Sequence, residues 1–226
     1  MIVAVVGEKG GTGKTTLAVH LAGWRTMVGR DVMLLDADPQ GSSGQWVLFR
    51  REFTDKCPAS VPAGPRVGVA VIDFAKRYDD VIVDIGAGDG LGMEMVMRVA
   101  DVAIIPLQPN AMDVWTVPNL NELVGIARDL NPNLKAMFLL NKAPTHRADN
   151  DAKAAMRTLD QCESIETLNC MVRERTSIKR GVPRGYLIDE WRPKDTKAID
   201  ELRAVYESVY DIDEAGAPAE LIEIGG

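Results

Sequence analysis

The sequence predicts an α/β fold, with a mostly parallel sheet carrying helices on both faces. Three observations lead there. Short β-branched apolar runs alternate with longer stretches of helical period. The runs are continuously apolar rather than alternating, as strands buried on both faces require. A glycine-rich turn joins the first run to the first helical stretch.

Taken in order, Ile2 to Val6 reads as a buried strand. Residues 14 to 29 follow with Leu17, Leu21, Trp24 and Val28 at helical spacing, and Gly29 suits the C-terminal cap. Val32 to Leu35, Val81 to Ile85, Val102 to Pro106 and Lys135 to Leu140 repeat the strand pattern, and Ile165 to Met171 is a weaker case. Helices fit 92 to 99, 113 to 130, 148 to 160 and 194 to 210. Between the second and third clear strands, 41 to 56 reads as mostly helical, 57 to 65 as a proline-rich loop and 67 to 78 as a helix. No linker interrupts the series, so 1 to 210 is expected as a single domain and 211 to 226 as a flexible acidic tail.

Composition excludes several classes. The net charge is −7, and the tail holds five acids and no base, which leaves the first 210 residues at −2. Wrapping nucleic acid by overall basicity is therefore excluded, although a local basic patch is not. Three cysteines without a C-x-x-C spacing argue against a disulfide framework or a zinc site, and a reducing cytoplasm is the expectation. The N-terminus lacks a basic n-region and a cleavage site, so no secretory leader is expected. No apolar run approaches the ~18 residues of a membrane span.

Directly after the first strand stands Lys9-Gly10-Gly11-Thr12-Gly13-Lys14-Thr15-Thr16. Glycines let the backbone curl until its N–H groups point at a polyphosphate, and the following helix adds its positive end. In such a loop Lys14 reaches the β and γ phosphates, Thr15 ligates Mg²⁺ and Thr16 bonds the α phosphate. The general P-loop pattern needs glycine where this chain has Glu8, and the dinucleotide pattern lacks its third glycine. The second strand ends in Asp36-Ala37-Asp38-Pro39-Gln40-Gly41-Ser42. Asp36 and Asp38 lie two apart, so on an extended strand end they share one side. An acid facing the phosphates suits the positioning of an attacking water. Val81-Ile82-Val83-Asp84 is a strand running into an acid that would bind Mg²⁺ through water, and Gly86-Ala87-Gly88 follows.

The extra lysine in K-G-G-x-G-K-T-T, with D-x-D-P-Q-G-S, resembles the deviant Walker A ATPases, and within them the ParA branch. The resemblance covers most of residues 1 to 210 and implies a P-loop NTPase fold that binds and hydrolyses Mg·ATP. It implies that Lys9 crosses to the partner's phosphates in an ATP-dependent homodimer. By the same resemblance Asp38 orients the water, Asp36 supports the Mg²⁺ shell, and Asn141 in Leu139-Leu140-Asn141-Lys142 contacts adenine. Gln108, in Pro106-Leu107-Gln108-Pro109, is expected to line the site. The stretch 173 to 184 holds Arg173, Arg175, Lys179, Arg180 and Arg184 against one acid, Glu174. The resemblance makes these non-specific DNA contacts, with Arg175 alternatively serving the dimer. It further implies a ParB-like adaptor, slow stimulated hydrolysis, nucleoid association and the positioning of a plasmid, chromosome or other cargo. A MinD-like membrane cycle is the rival reading, but a basic amphipathic C-terminal helix is missing, so no membrane partner is expected. A metabolic ATP-dependent enzyme on the same fold is the other rival. His20 reads as structural, His146 as a loop residue, and Met112 and Trp115 as packing or dimer contacts.

Overall fold

A computed structural model describes the chain except residue 65, residues 146–149 and residues 211–226, so the readings for His146 and for the tail lie outside the described residues. Seven strands form one sheet: β1 (Ile2–Val5), β2 (Val32–Ala37), β3 (Ala59–Pro62), β4 (Asp80–Ile85), β5 (Val102–Leu107), β6 (Lys135–Ala143) and β7 (Glu166–Arg173). They lie in the order β3-β2-β4-β1-β5-β6-β7, and every pairing is parallel. The helices are α1 (Lys14–Met27), α2 (Ser42–Arg51), α3 (Val67–Ala75), α4 (Gly90–Met97), α5 (Ala111–Val114), α6 (Val117–Arg128), α7 (Asn150–Leu159), α8 (Thr176–Gly181) and α9 (Thr196–Tyr210). A 3₁₀ turn, Val182–Arg184, follows α8.

The continuous apolar runs feed two cores. Val3 and Val5 point to the face covered by α1, α2 and α9, and join Leu17, Leu21, Trp46, Leu202 and Tyr206. Ala4 and Val6 point to the other face and join Val71, Met93, Leu120, Val124 and Leu159. Period-two alternation along a doubly covered strand accounts for both.

Two expectations are corrected. The proline-rich loop of 57 to 65 contains β3, whose Ser60 and Val61 pair with Leu34 and Leu35. It is an edge strand ending in Pro62, a place that tolerates a residue without an N–H. The helix expected over 113 to 130 is two helices. Pro118 starts α6 afresh, and it sits in the first turn, where a missing N–H costs nothing. The helix of 41 to 56 ends at Arg51. The basic stretch of 173 to 184 carries a helix, α8, that its charges obscured.

The sheet order positions the site. β1 is central, with β4 on one side and β5 on the other. The C-terminal ends of β2, β4, β1, β5 and β6 therefore line one edge, carrying Asp36, Asp84, the glycine-rich turn, Gln108 and Asn141.

Candidate nucleotide site

The turn from β1 to α1 uses left-handed backbone at Gly11 (φ 81°) and at Gly13 (φ 96°), the N-cap of α1. Side chains are strained in that region, which explains the glycines. No backbone N–H from Lys9 to Thr16 donates a hydrogen bond among the described residues. Those amides stand at the positive end of α1 and suit an anion. The carbonyls are engaged instead. Lys14 Nζ donates to Lys9 O at 2.8 Å, Asn141 Nδ2 to Thr12 O at 2.7 Å, Gln108 Nε2 to Gly11 O at 3.1 Å, and Lys142 Nζ also to Gly11 O.

Lys14 is buried, and burial lowers its pKa while the charges of Asp84 and Asp38 raise it. Lys9 is half-buried at the loop's start and makes no ion pair among the described residues.

Asp84, the last residue but one of β4, has no exposed surface, and neither carboxylate oxygen finds a hydrogen-bond partner. Burial raises its pKa to about 7; the Thr15 and Ser43 hydroxyls oppose the shift, and the Asp36 and Asp38 charges add to it. Ser43 is itself buried with its hydroxyl unpaired. A buried acid with both oxygens unpaired, beside two hydroxyls, is a donor set that fits Mg²⁺. No group of three or more His, Cys, Asp or Glu side chains gathers around it among the described residues. Mg²⁺ takes few protein ligands and completes its shell with water and phosphate oxygens, so one acid with neighbouring hydroxyls is a sufficient donor set.

Asp36 is opposite Asp84 in the β2–β4 register. Both of its oxygens are engaged: Asp38 N–H donates to Oδ1 at 3.2 Å and Gly44 N–H to Oδ2 at 2.7 Å. It folds the β2–α2 turn and sets the start of α2, which carries Ser43. Asp38 is half-buried and accepts from Gln40 N–H at 2.9 Å, leaving its other oxygen outside any described bond. A Cβ on Gly86 would stand 3.3 Å from Asp38 Cα and from Pro39, so glycine there lets the β4–α4 turn approach the acid. An open groove of about 650 Å³ runs past Asp38, Gly86, Asp89 and Met95.

Asn141 and Thr16 line a second cavity, of about 150 Å³, walled by Leu17, Val172, Ile178 and Pro183. His20 is buried and neutral, its pKa lowered by burial to about 4. Its Nε2 accepts from Ile188 N–H at 3.2 Å, so Nδ1 carries the proton and donates to Thr16 O at 2.7 Å. The structural reading of His20 fits this arrangement.

The basic stretch does not present five free charges. Arg175 binds Glu201 through Nε at 2.9 Å and Nη2 at 2.5 Å and lies 3.8 Å from Asp195, with a side chain only 12% exposed. Arg173 also meets Glu201 and donates to Pro144 O at 2.8 Å. Lys179 pairs with Glu174 at 2.5 Å. Arg180 and Arg184 are exposed and make no ion pair among the described residues, although Arg184 donates to Arg180 O at 2.6 Å. Of the two readings of Met112 and Trp115, packing within the chain is corrected, since they are 59% and 74% exposed on and beside α5; exposure leaves the dimer-contact reading standing as an expectation.

Sequence reasoning missed Ser43, Lys142 and the bond made by Gln108. Lys142, at φ 54°, sits where the β6–β7 register shifts between Leu140 and Ala143, an irregularity that the apolar run does not announce. Gln108 becomes legible once β5 is known to neighbour β1.

Comparison with known proteins follows the same line. The model of the CobQ/CobB/MinD/ParA nucleotide binding domain matches residues 3–188. Maintenance of carboxysome distribution protein A of Halothiobacillus neapolitanus is 28% identical over 209 residues, 92% of this chain and 95% of that protein. The chromosome-partitioning ATPase Soj of Thermus thermophilus is 42% identical over 167 residues, 61% of this chain and 67% of that protein. Among solved structures, apo McdA of Cyanothece has a TM-score of 0.75 at 14% identity, covering 92% of this chain and 98% of that one. MinD of Pyrococcus horikoshii with Mg-ADP has a TM-score of 0.68 at 20% identity, covering 96% and 98%. At these identities the two structures speak for the fold alone, and the match over residues 3–188 shows the family. The chain belongs to the CobQ/CobB/MinD/ParA nucleotide-binding family.

Proposed function

We propose that this protein is a Mg·ATP-dependent positioning ATPase of the ParA kind, which dimerises on ATP, binds DNA without sequence preference and distributes a cargo through a ParB-like adaptor. The observation that carries the nucleotide chemistry is Asp84, buried with both oxygens unpaired beside Thr15 and Ser43, at the foot of a loop whose amides are free. Similarity to a carboxysome-distribution protein over 92% of the chain supports the positioning role and favours a large protein body as cargo.

Each residue has a task in this reading. Lys14 holds the β and γ phosphates, with Thr16 at the α phosphate and the amides of Gly10 to Gly13 around them. Thr15 and Asp84 hold Mg²⁺, which when bound neutralises charge on the phosphates. Asp36 acts through the β2–α2 turn rather than as a ligand, because backbone amides already occupy its oxygens. Asp38 orients the attacking water from the groove. Lys9, unpaired at the loop's start, serves the partner's phosphates across the dimer. Arg180 and Arg184 contact DNA phosphates, whereas Arg173, Arg175 and Lys179 are held by acids.

The test joins dimerisation to DNA binding. Sizing and fluorescence anisotropy on two unrelated duplexes are run with and without Mg·ATP across a salt series. The expected result is an ATP-dependent dimer that binds both duplexes alike and weakens steeply with salt. Asp38→Ala keeps the dimer and loses turnover, and Lys9→Ala binds ATP but stays monomeric. A wild type that hydrolyses ATP but binds no DNA at low salt overturns the positioning mechanism.

A further inference from the structure

Two consecutive carbonyls at the crown of the nucleotide loop are held by side chains from neighbouring strand ends. Gly11 O accepts from Gln108 Nε2, at the end of β5, and from Lys142 Nζ on β6. Thr12 O accepts from Asn141 Nδ2, also on β6. In a planar trans peptide the C=O and the next N–H point in opposite directions. Holding the carbonyls of Gly11 and Thr12 outward therefore turns the amides of Thr12 and Gly13 the other way, and neither donates among the described residues.

The orientation of Asn141 is fixed by its partners. Thr12 O can only accept and Lys142 N–H can only donate, so Nδ2 faces the loop and Oδ1 accepts from Lys142 N–H at 2.9 Å. The contact with the loop is close. A Cβ on Gly13 would stand 2.3 Å from Asn141 Nδ2, so the side chain lies where any other residue at 13 would put its first carbon. Gln108 is held in turn, since its N–H donates to the buried Asp113 carboxylate at 2.8 Å.

The geometry points to Gln108, Asn141 and Lys142 as a clamp that presets the loop for a triphosphate, a role that Asn141 plays beside its contact with the base. This rests on the nucleotide reading and adds to the adenine contact that the family resemblance implies, since Thr12 O takes only one of the two protons on Asn141 Nδ2. A clamp lowers the cost of ordering the loop for any ligand carrying the phosphates. A base contact helps only ligands carrying that base.

A base-free ligand separates the two. Wild type, Asn141→Ala, Gln108→Ala and Lys142→Met are titrated by calorimetry or competition with Mg·ATP, Mg·GTP and Mg·tripolyphosphate, and their melting temperatures are measured without ligand. Loss of one neutral hydrogen bond corresponds to about fivefold in affinity. Asn141→Ala is expected to weaken Mg·tripolyphosphate by about that factor and Mg·ATP by at least as much, with Gln108→Ala and Lys142→Met weakening all three ligands alike. Asn141→Asp, which sets a carboxylate oxygen against Thr12 O, is expected to lose more on all three. Normal tripolyphosphate binding by Asn141→Ala alongside weakened ATP binding overturns the clamp and leaves Asn141 the base contact alone. An equal loss that merely tracks a lowered melting temperature overturns it too. A wild type inert to ATP removes the nucleotide reading itself, a failure seen before any variant is made.

Discussion

Replacing Asp84 with Asn tests the metal cradle without any ligand present. Asp84 is fully buried, and its pKa rises from 3.8 to about 7 because burial penalises the carboxylate. The native state therefore keeps a proton that the unfolded chain has released. In that window the unfolded state binds fewer protons, so stability falls as pH climbs from about 4 through about 7. From about pH 5 to about pH 8 this one group removes about 3 kcal/mol from the metal-free protein. Asn fits the same space without titrating, so Asp84→Asn lacks that loss. His20, with a pKa of about 4, acts in the opposite sense, since its unfolded form binds a proton below about pH 6.5 and stability rises with pH there. That contribution is common to both proteins and cancels in their difference. Urea unfolding with a chelator present, at about pH 5 and about pH 8, measures the difference. The variant gains on wild type by about 3 kcal/mol across the interval, and Mg·ATP at the higher pH restores wild type but not the variant. Identical pH dependence in the two proteins refutes the account of Asp84 as a strained acid awaiting a cation.

Other perturbations read other parts of the site. Lys14→Ala abolishes ATP binding in calorimetry, because it removes the buried ammonium that the loop itself wraps and that bonds Lys9 O. Gly13→Ala loses nucleotide affinity by about a hundredfold in the same assay, since φ 96° and a Cβ 2.3 Å from Asn141 Nδ2 force the loop to move. Arg175→Ala lowers the urea-derived stability by about 1–2 kcal/mol by removing two charge-assisted hydrogen bonds to Glu201, which keeps only its contacts with Arg173. The double change Arg180→Ala plus Arg184→Ala leaves stability unchanged, weakens binding to every duplex alike and flattens the salt slope by about 2 for each protomer engaged.

The legible parts of this protein were those written in adjacent residues. The glycine-rich turn, Asp36, Asp38 and Asp84 each end or follow an apolar run, and a strand end in a parallel sheet places such residues on the ligand edge whatever the strand order. Most strands and long helices were legible for the same reason. What escaped depends on segments distant in sequence. β3 is a strand because Ser60 and Val61 find Leu34 and Leu35, a pairing that four residues flanked by prolines do not announce. The charge run of 173 to 184 suggested one free basic face, but Glu201 and Asp195 arrive from α9 and the turn before it to hold Arg173 and Arg175. Charge content was readable there, and charge availability was not.

Sheet order closes the gap between the acids and the loop. With β1 between β4 and β5, the loop leaving β1 has the acid of β4 on one side. On the other side it has Gln108 from β5, with Asn141 and Lys142 one strand further out. The β4 side bears unpaired oxygens that call for a cation, and the β5–β6 side bears donors that hold carbonyls away from the anion. A single crossover arrangement thus supplies opposite electrostatic services to one triphosphate. The acids announce theirs in company, because a carboxylate at a strand end is common by itself and gains its meaning from the glycine-rich loop read beside it. The clamp uses Gln, Asn and Lys, ordinary residues at strand ends, whose role exists only once the neighbouring strand is known to carry the glycines.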